Sequence, residues 1–263
     1  MGPEVLSQIV RHKKEEIATA KKQVSESELR SQAVAAAKRR PFLAKLSEPG
    51  PHGVNIIAEV KRASPSRGYI RKDLDAAIQA GSYEAGGAAA VSVLTDNRFF
   101  QGGRLDLVKA KQAVKLPVLR KDFVISTYQI YESIAMGADA VLLIVRILSQ
   151  QQLEEYLAFC SETRIDALVE VHSETEFEAA DRAGASLIGV NNRNLDTFIT
   201  DINTSIRLAK LFGKHHVGVA ESGIADRSDI DKILEAGIHN FLIGESLVRA
   251  PDTQAFLKTL LLK

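Results

Sequence analysis

The sequence predicts an α/β fold: a single (β/α)8 TIM barrel with an N-terminal helical extension. Two observations predict it. Short apolar runs alternate eight times with helix-like stretches, and the length suits one large domain. At 263 residues and 45% hydrophobic content, the chain is close to the roughly 250 residues of one such barrel. We predict one domain over residues 1–263, with the extension in 1–50 and the barrel in 51–263.

The predicted strands are runs of Val, Ile, Leu and Ala, most of which end in a polar or charged cluster. Runs that are apolar on both faces suit a parallel sheet covered by helices. With right-handed crossovers such a sheet is either open and doubly wound or closed into a barrel, and eight units favour the barrel. The runs cover residues 54–61, 88–95, 117–122, 138–145, 166–172, 186–191, 216–222 and 239–244.

The helix-like stretches between these runs include residues 74–87, 128–137, 149–163, 174–184 and 227–237. Several of them end in a glycine before the next strand, which predicts a left-handed residue at the helix end. These glycines are Gly137, Gly184 and Gly237.

The segment before the first strand predicts helices that the barrel itself does not require. Val5 and Ile9 recur at helical spacing, and Ser25 with Glu28 makes a capping-box start for a second helix. We expect this extension to pack on the barrel. Its basic residues are interpreted as a solvated helix face rather than an anion-binding patch. They include Lys38, Arg39 and Arg40.

Composition narrows the classes of partner and the cellular compartment that the protein could have. The net charge of +1 gives no reason to expect nucleic acid or an anionic membrane as a partner. No apolar run approaches the roughly 20 residues needed to cross a bilayer, and the polar N-terminus lacks a signal-peptide core. The single Cys160 cannot form an internal disulfide, which fits a reducing cytosol, and we interpret it as a packing residue. A cytoplasmic protein is predicted.

In a (β/α)8 barrel the active site lies at the carboxyl ends of the strands, so the polar residues that end each run should converge. Glu59 and Lys61 are two apart on a strand and therefore point to the same face. In isolation this pair is as compatible with a structural salt bridge as with catalysis. The other polar strand ends are Ser64, Lys121, Asp122, Glu170, His172, Asn191 and Arg193.

The last two predicted strands end in glycine-containing segments, residues 220–224 and 242–246. Loops after these strands often form the phosphate site of such barrels. A short helix that begins at Glu245 would direct its positive end at the gap, so a phosphate cradle is predicted there.

The predicted site combines this cradle with lysines and glutamates. Neighbouring lysines depress each other's pKa, and burial raises that of a glutamate, so the cluster favours general acid-base chemistry on a small phosphorylated molecule. A Schiff base on Lys61 or Lys121 is a competing interpretation. The histidines are too scattered for a metal site, and His172 by itself is interpreted as structural.

Five segments resemble the indole-3-glycerol phosphate synthase family, and the resemblance extends over essentially the whole chain. The sister isomerase that acts on phosphoribosylanthranilate shares only the fold and phosphate loops. The matching segments are EVKRASPSRG at 59–68, LRKDF at 119–123, LVEVH at 168–172, IGVNNRNL at 188–195 and AESGI at 220–224.

The resemblance implies a lyase of tryptophan biosynthesis that needs no cofactor. Such an enzyme converts 1-(2-carboxyphenylamino)-1-deoxyribulose 5-phosphate to indole-3-glycerol phosphate, carbon dioxide and water. It implies that Lys121 is the acid for ring closure and that Lys61 holds the departing carboxylate or shares the proton donation. Glu170 and Glu59 match the carboxylates that serve the dehydration.

The resemblance also implies substrate contacts. Asn191 and Arg193 would orient the anthranilate end and the reacting hydroxyls, and Asn191 counts among the catalytic residues. Backbone N–H groups of Gly223, Gly244 and Glu245 would bind the phosphate, with the Glu245 carboxylate turned outward. The remaining predicted substrate-binding residues are Ser64, Pro65, Phe123, Leu142, Glu221 and Ser222.

Two alternatives stay open. One is another isomerase or aldolase on the same phosphate-binding barrel, and the other is a barrel that serves as a non-catalytic scaffold. The intact set of charged strand ends favours an enzyme. The predicted partner is a small phosphorylated substrate, without nucleic acid, membrane or metal, and contact with other enzymes of the tryptophan pathway is a further expectation.

Overall fold

A computed structural model of the chain describes residues 3–36, 38–65, 68–194, 197 and 199–262. Its core is a closed barrel of parallel strands in which each strand pairs with the next along the chain and the last pairs with the first. This confirms the predicted fold. The strands are β1 Asn55–Val60, β2 Ala90–Leu94, β3 Val118–Lys121, β4 Ala140–Ile144, β5 Asp166–Val171, β6 Leu187–Asn191, β7 Val217–Glu221 and β8 Asn240–Ile243.

Helices surround the barrel, and each stretch predicted to be helical contains one. Gly137, Gly184 and Gly237 have the positive φ angles expected after these helices. The helices are α1 Pro3–Gln23, α2 Glu26–Ala35, α3 Phe42–Leu46, α4 Ala76–Ala85, α5 Asn97–Phe100, α6 Arg104–Ala113, α7 Thr127–Ala135, α8 Gln150–Thr163, α9 Glu174–Arg182, α10 Asn203–Ala209, α11 Arg227–Leu234, α12 Glu245–Arg249 and α13 Thr253–Leu261.

Two smaller elements were not predicted from the sequence. A 3-10 turn, Val145–Ile147, follows β4. A two-stranded antiparallel ribbon after β1 pairs Ala63–Ser64 with Gly68–Tyr69. Among the described residues no helix is both long and apolar enough to cross a membrane.

The N-terminal extension packs on the barrel, as expected. The Ser25 side chain accepts a hydrogen bond from the backbone N–H of Glu28 at 3.2 Å and caps α2. Residues of α1 and α2 pack against Tyr128, whose hydroxyl donates to the carbonyl of Val24 at 2.9 Å. Apolar contacts and a hydrogen bond therefore both attach the extension to α7.

The interpretation of the basic extension residues as a solvated face holds for the exposed ones but is wrong for Lys13, Arg39 and Arg40. Lys13 is only 1% exposed and pairs with buried carboxylates. The guanidinium of Arg40 donates to the carbonyl of Leu116 at 2.7 Å, and that of Arg39 donates to carbonyls at the end of α8. By contrast, Arg11, Lys14 and Lys38 are exposed. Lys13, Arg39 and Arg40 tie the extension to carbonyls and carboxylates of the barrel.

The two-residue period of the strands explains where the site forms. Apolar side chains that point into the barrel are followed two positions later, on the same strand face, by charged ones at the carboxyl end. Four strands show this pattern: Ile57 then Glu59, Leu119 then Lys121, Leu168 then Glu170, and Val219 then Glu221.

Candidate active site

A cavity of about 460 Å³ lies at the carboxyl ends of the strands. Every residue predicted to be catalytic or to bind substrate lines it, from Glu59 on β1 to Glu245 after β8, whereas the strand-end residue His172 does not. The resembling motifs also include Ser66, Arg67 and Leu195, which lie outside the described residues. The structure thus brings together side chains that are up to 186 positions apart in sequence, because all strands of a parallel barrel end on one rim.

Lys121 lies between two glutamates at the end of β3. Its Nζ is 2.8 Å from Oε2 of Glu221 and 3.2 Å from Oε2 of Glu170. Burial acts to lower the pKa of Lys121, but Glu221, Glu170 and Glu59 outweigh it, so this pKa is raised. The expectation that neighbouring lysines depress the pKa is therefore wrong here, because carboxylates are closer to Lys121 than any lysine. Lys121 is a cation at neutral pH.

Glu221 is the glutamate with the raised pKa. Burial raises this pKa to about 7, although Lys121 acts to lower it, and the neighbouring Glu170 raises it further. Oε1 of Glu221 is buried without a hydrogen-bond partner among the described residues. A Cβ at Gly189 would lie 2.1 Å from that oxygen, so only glycine on β6 leaves room for this carboxyl group.

The pKa of Glu170 is not raised, contrary to the prediction for a buried glutamate. Burial acts to raise its pKa, but Lys121, His172 and a hydrogen bond from Asn191 outweigh it, so the pKa of Glu170 is lowered. The two carboxyl groups that share Lys121 therefore differ: Glu170 is ionised at neutral pH, and Glu221 is partly protonated.

Glu59 and Lys61 form the ion pair that their spacing predicts, with Oε1 and Nζ 2.7 Å apart. Both side chains line the cavity. A Cβ at Gly244 would lie 2.5 Å from Oε1 of Glu59 and 3.1 Å from its Cβ. Gly244 is therefore required for the position of Glu59, in addition to any contact with phosphate.

Apolar side chains form another part of the wall. Phe123 is 9% exposed, and its ring centroid lies 6.1 Å from that of Phe100. Leu142 is buried in the barrel interior and also lines the cavity, so it belongs to both core and wall. Val5 and Ile9 of α1 line the cavity too. Their periodicity predicted a packing face, but sequence does not show what that face meets.

The loops after β6 and β8 contribute charged residues. Arg193 and Arg249 line the cavity, and Glu245 lies between them. Its Oε1 is 3.2 Å from Nε of Arg249, and its Oε2 is 3.9 Å from Nη2 of Arg193. The carboxylate was expected to turn outward, but its side chain is only 25% exposed. Two guanidinium groups offset its charge, and Arg249 was not identified from the sequence.

The smaller polar residues lie where they were predicted. Oδ1 of Asn191 accepts the backbone N–H of Arg193 at 3.0 Å, which leaves its amide nitrogen for Glu170. Ser64 is buried on the ribbon after β1, and Ser222 has a positive φ of 66° just before Gly223. Asn191, Ser64 and Ser222 all line the cavity.

Asp122 follows Lys121 in sequence, but its carboxylate contacts a different set of residues. Its Oδ1 is 2.9 Å from Nζ of Lys13, and its Oδ2 accepts from Thr95 at 2.6 Å and Arg120 at 3.0 Å. Burial acts to raise the pKa of Asp122, but Arg120 and Lys13 outweigh it and the pKa is lowered. The carboxylate of this predicted strand-end residue is thus bound by core cations.

The histidine pair at the other end of the barrel makes a poor metal site. Within the described ranges, side chains of Asp181, His215 and His216 come close enough to share an ion. However, Nδ1 of His216 accepts the backbone N–H of Gly213 at 2.9 Å, so Nε2 of the neutral ring carries the proton. That nitrogen lies 3.1 Å from Oδ1 of Asp181 and donates to it. Its lone pair is not available for a metal.

The sequence matches the family model of indole-3-glycerol phosphate synthase over residues 6–260. The indole-3-glycerol phosphate synthase of Desulfosudis oleivorans is 54% identical over 259 residues, which cover 98% of each chain. That of Syntrophobacter fumaroxidans is 56% identical over 252 residues, 96% of this chain and 95% of the relative.

A solved structure supports the fold alone. Thiamine phosphate pyrophosphorylase from Pyrococcus furiosus superposes with a TM-score of 0.60 at 15% identity, covering 79% of this chain and 93% of that one. The family match over nearly the whole chain is much more specific than this shared barrel. With the charged strand ends collected in one cavity, the chain belongs to the indole-3-glycerol phosphate synthase family.

Proposed function

We propose that this protein closes the pyrrole ring of 1-(2-carboxyphenylamino)-1-deoxyribulose 5-phosphate and releases carbon dioxide and water, in tryptophan biosynthesis. The observation that carries the proposal is Lys121, a buried cation between two carboxyl groups beside an aromatic wall. The reaction needs such a cation, because negative charge grows on the ribulose carbonyl oxygen as the ring carbon attacks it.

In ring closure Lys121 donates a proton to the carbonyl oxygen. The raised pKa of Lys121 keeps it protonated at neutral pH, and the partly protonated Glu221 at 2.8 Å is a source from which the proton can be replaced. Phe123 and Phe100 supply the apolar surface on which the anthranilate ring stacks.

In decarboxylation Lys61 holds the carboxylate of the anthranilate ring until it leaves as carbon dioxide. Glu59 keeps the Lys61 ammonium at the rim through its 2.7 Å ion pair. The electrons of the broken carbon–carbon bond return to the aromatic ring, so this step needs orientation rather than a further acid.

Dehydration needs a base for the proton on the ring nitrogen and an acid for the departing hydroxide. Glu170 has a lowered pKa and is ionised, which suits it to the base. Glu59 is the other matching carboxyl group. Arg249 and the backbone of Gly223, Gly244 and Glu245 lie along the cavity wall and would bind the phosphate, while Arg193 would orient the anthranilate end and the reacting hydroxyls.

The direct test is fluorescence of the indole product when the purified protein meets the carboxyphenylamino substrate. Glu170→Gln should lower kcat by about tenfold or more, since a neutral amide cannot accept the proton. Glu59→Gln tests the second carboxyl group in the same assay. No indole from the wild-type protein would refute the function. If both variants change only the melting temperature, the carboxylates are structural.

Binding to other enzymes of the tryptophan pathway stays a prediction. Sedimentation of this protein alone and mixed with those enzymes tests it, and unchanged boundaries would contradict it.

A further inference from the structure

The two carboxylate oxygens of Glu170 have different surroundings. Oε2 faces the cavity side, where Nζ of Lys121 lies 3.2 Å away. Oε1 faces away from Lys121 and lies 3.4 Å from Nε2 of His172. His172 comes two positions after Glu170, has a side chain that is 4% exposed, and is not part of the cavity lining. It can act on the substrate only through Glu170.

The other ring nitrogen of His172 has a defined partner. Nδ1 lies 3.0 Å from Oε2 of Glu176 on α9, which also accepts the backbone N–H of His172 at 2.8 Å. Burial acts to raise the pKa of Glu176, but His172 and Arg146 outweigh it and the pKa is lowered. An ionised carboxylate only accepts hydrogen bonds, so Nδ1 carries a proton.

With Nδ1 protonated, a neutral His172 would direct the lone pair of Nε2 at Glu170. That nitrogen is buried and has no hydrogen-bond partner among the described residues. Two lone pairs facing each other in a buried site repel, whereas one proton between them is attractive. A proton between Nε2 of His172 and Oε1 of Glu170 would remove this repulsion, since the two atoms are 3.4 Å apart and form an ion-pair contact.

We propose that His172, held by Glu176, is a positioning residue that shares one proton with Glu170 and thereby sets whether Glu170 is a base or an acid. With the proton on Nε2, Glu170 is a carboxylate ready to accept a proton. With the proton on Oε1, Glu170 is a carboxylic acid. The transfer breaks one N–H bond and forms one O–H bond, and needs no other reactant.

The charged groups that face the ring of His172 directly are two carboxylates, Glu170 on β5 and Glu176 on α9. The nearest cations are each bound to one of those carboxylates: Arg146, whose Nε is 3.0 Å from Glu176, and Lys121. Glu221 lies beyond Lys121. The imidazolium in turn helps keep Glu170 ionised.

The first test is the pH profile of His172→Asn. We expect kcat to fall about tenfold with KM nearly unchanged. The acid limb of the kcat–pH profile, where kcat falls at low pH, should also shift to higher pH by about one unit. The reason is that loss of a nearby cation raises the pKa of a carboxyl group. Glu176→Gln should shift the limb in the same direction by less. His216→Asn is the matched control, since it removes a buried ring that donates to Asp181 far from the cavity.

An unshifted acid limb in folded His172→Asn, equal to that of His216→Asn, would overturn the proposal. The inference rests on the proposed role of Glu170, so a second measurement does without turnover. In ¹⁵N-histidine NMR of the wild-type protein, Nδ1 of His172 should stay protonated across the titration. Glu170→Gln should make the ring lose its other proton at lower pH than in the wild type.

These two NMR results support proton sharing even where no indole is formed, and indole formation supports the function even where they fail. An Nδ1 that carries no proton in the neutral ring, or a His172 titration unaffected by Glu170→Gln, would contradict the shared proton directly.

Discussion

Lys121 and Asp122 are neighbours in sequence, yet they belong to two buried charge clusters of different kinds. The cavity cluster consists of Glu59, Lys61, Lys121, Glu170 and Glu221, and all five line the cavity. The closed cluster consists of Lys13, Asp96, Arg120, Asp122 and Glu132, which lie where the extension and α7 meet β3. Alternation along the strand directs adjacent side chains to opposite faces.

The closed cluster pairs its charges within the protein, although Oδ2 of Asp96 makes no hydrogen bond among the described residues. Nζ of Lys13 lies 2.9 Å from carboxylate oxygens of both Asp96 and Asp122. Arg120 binds Asp122 at 3.0 Å and Glu132 at 2.8 Å. Burial acts to lower the pKa of Lys13, but Asp122 and Asp96 outweigh it, so the pKa is raised. Such a cluster holds the extension against the barrel.

The cavity cluster has three carboxyl groups for two lysines, and its geometry leaves groups that are not satisfied. Oε1 of Glu221 has no hydrogen-bond partner in the described part of the chain, and the pKa of Glu221 is raised to about 7. A raised lysine pKa occurs in both clusters, so it does not identify a site by itself. Among the described residues a buried carboxylate oxygen without a hydrogen bond also occurs in both clusters, Oε1 of Glu221 and Oδ2 of Asp96, so the open cavity beside the first cluster is the better sign.

The largest expected effect comes from Lys13→Met. Removal of the cation leaves Asp96 and Asp122 buried without it, which should lower the free energy of unfolding by about 3–5 kcal/mol. Chemical denaturation measures this change. Lys14→Met is the control, because Lys14 is an exposed neighbour on α1. If Lys13→Met unfolds like the control, the closed cluster does not stabilise the fold.

Lys121→Met should lower catalytic activity strongly and stability only moderately. Loss of the acid should lower kcat by about 10² or more, equivalent to roughly 2.7 kcal/mol in the barrier, with a smaller change in KM. Its stability should change less than that of Lys13→Met, because the freed carboxyl groups adjoin the cavity. Lys115→Met, at an exposed position, is the control. Near-normal turnover in Lys121→Met would refute its role as the acid.

Glu221→Gln should change how the stability of the protein depends on pH. Between pH 4.5 and about 7 the folded protein binds a proton at Glu221 that the unfolded chain has released, so stability falls as pH rises through this window. In the wild type this decrease in the free energy of unfolding should be on the order of 1–3 kcal/mol between pH 5 and 8. The variant should not show it. Denaturation at both pH values measures it, with exposed Glu178→Gln as control. Equal slopes in variant and wild type would contradict the raised pKa.

Glu245→Ala should have the smallest effect. The proposed phosphate contact uses its backbone, and the partly exposed pair with Arg249 contributes roughly 0–1 kcal/mol. We expect kcat to be unchanged and KM to stay within about threefold, because Arg249 and the backbone N–H groups stay available for the phosphate. Steady-state kinetics checks this. A KM more than about tenfold higher would show that the carboxylate holds the arginines in place.

The barrel and the rim where the site forms could both be predicted from sequence patterns. Periods of two and 3.6 residues are local properties, and the parallel topology places all strand ends together. Glu59, Lys61, Lys121, Glu170 and Asn191 were therefore identified before their distances were known. The short ribbon after β1 and the helix α6 were not singled out, because short or weakly amphipathic segments lack a clear period.

The contacts between charged residues that are far apart in sequence could not be predicted and follow from the packing of the fold. The spacing of Lys13 on α1 does not show that it reaches Asp96 and Asp122, some 80 to 110 positions later. Nor does the position of His172 after β5 reveal that its ring contacts Glu176 and Glu170. Electrostatic energies depend on distance and burial, and both are set by packing of segments remote in sequence. The ionisable residue types can thus be read from the chain, but their pKa directions follow from the fold.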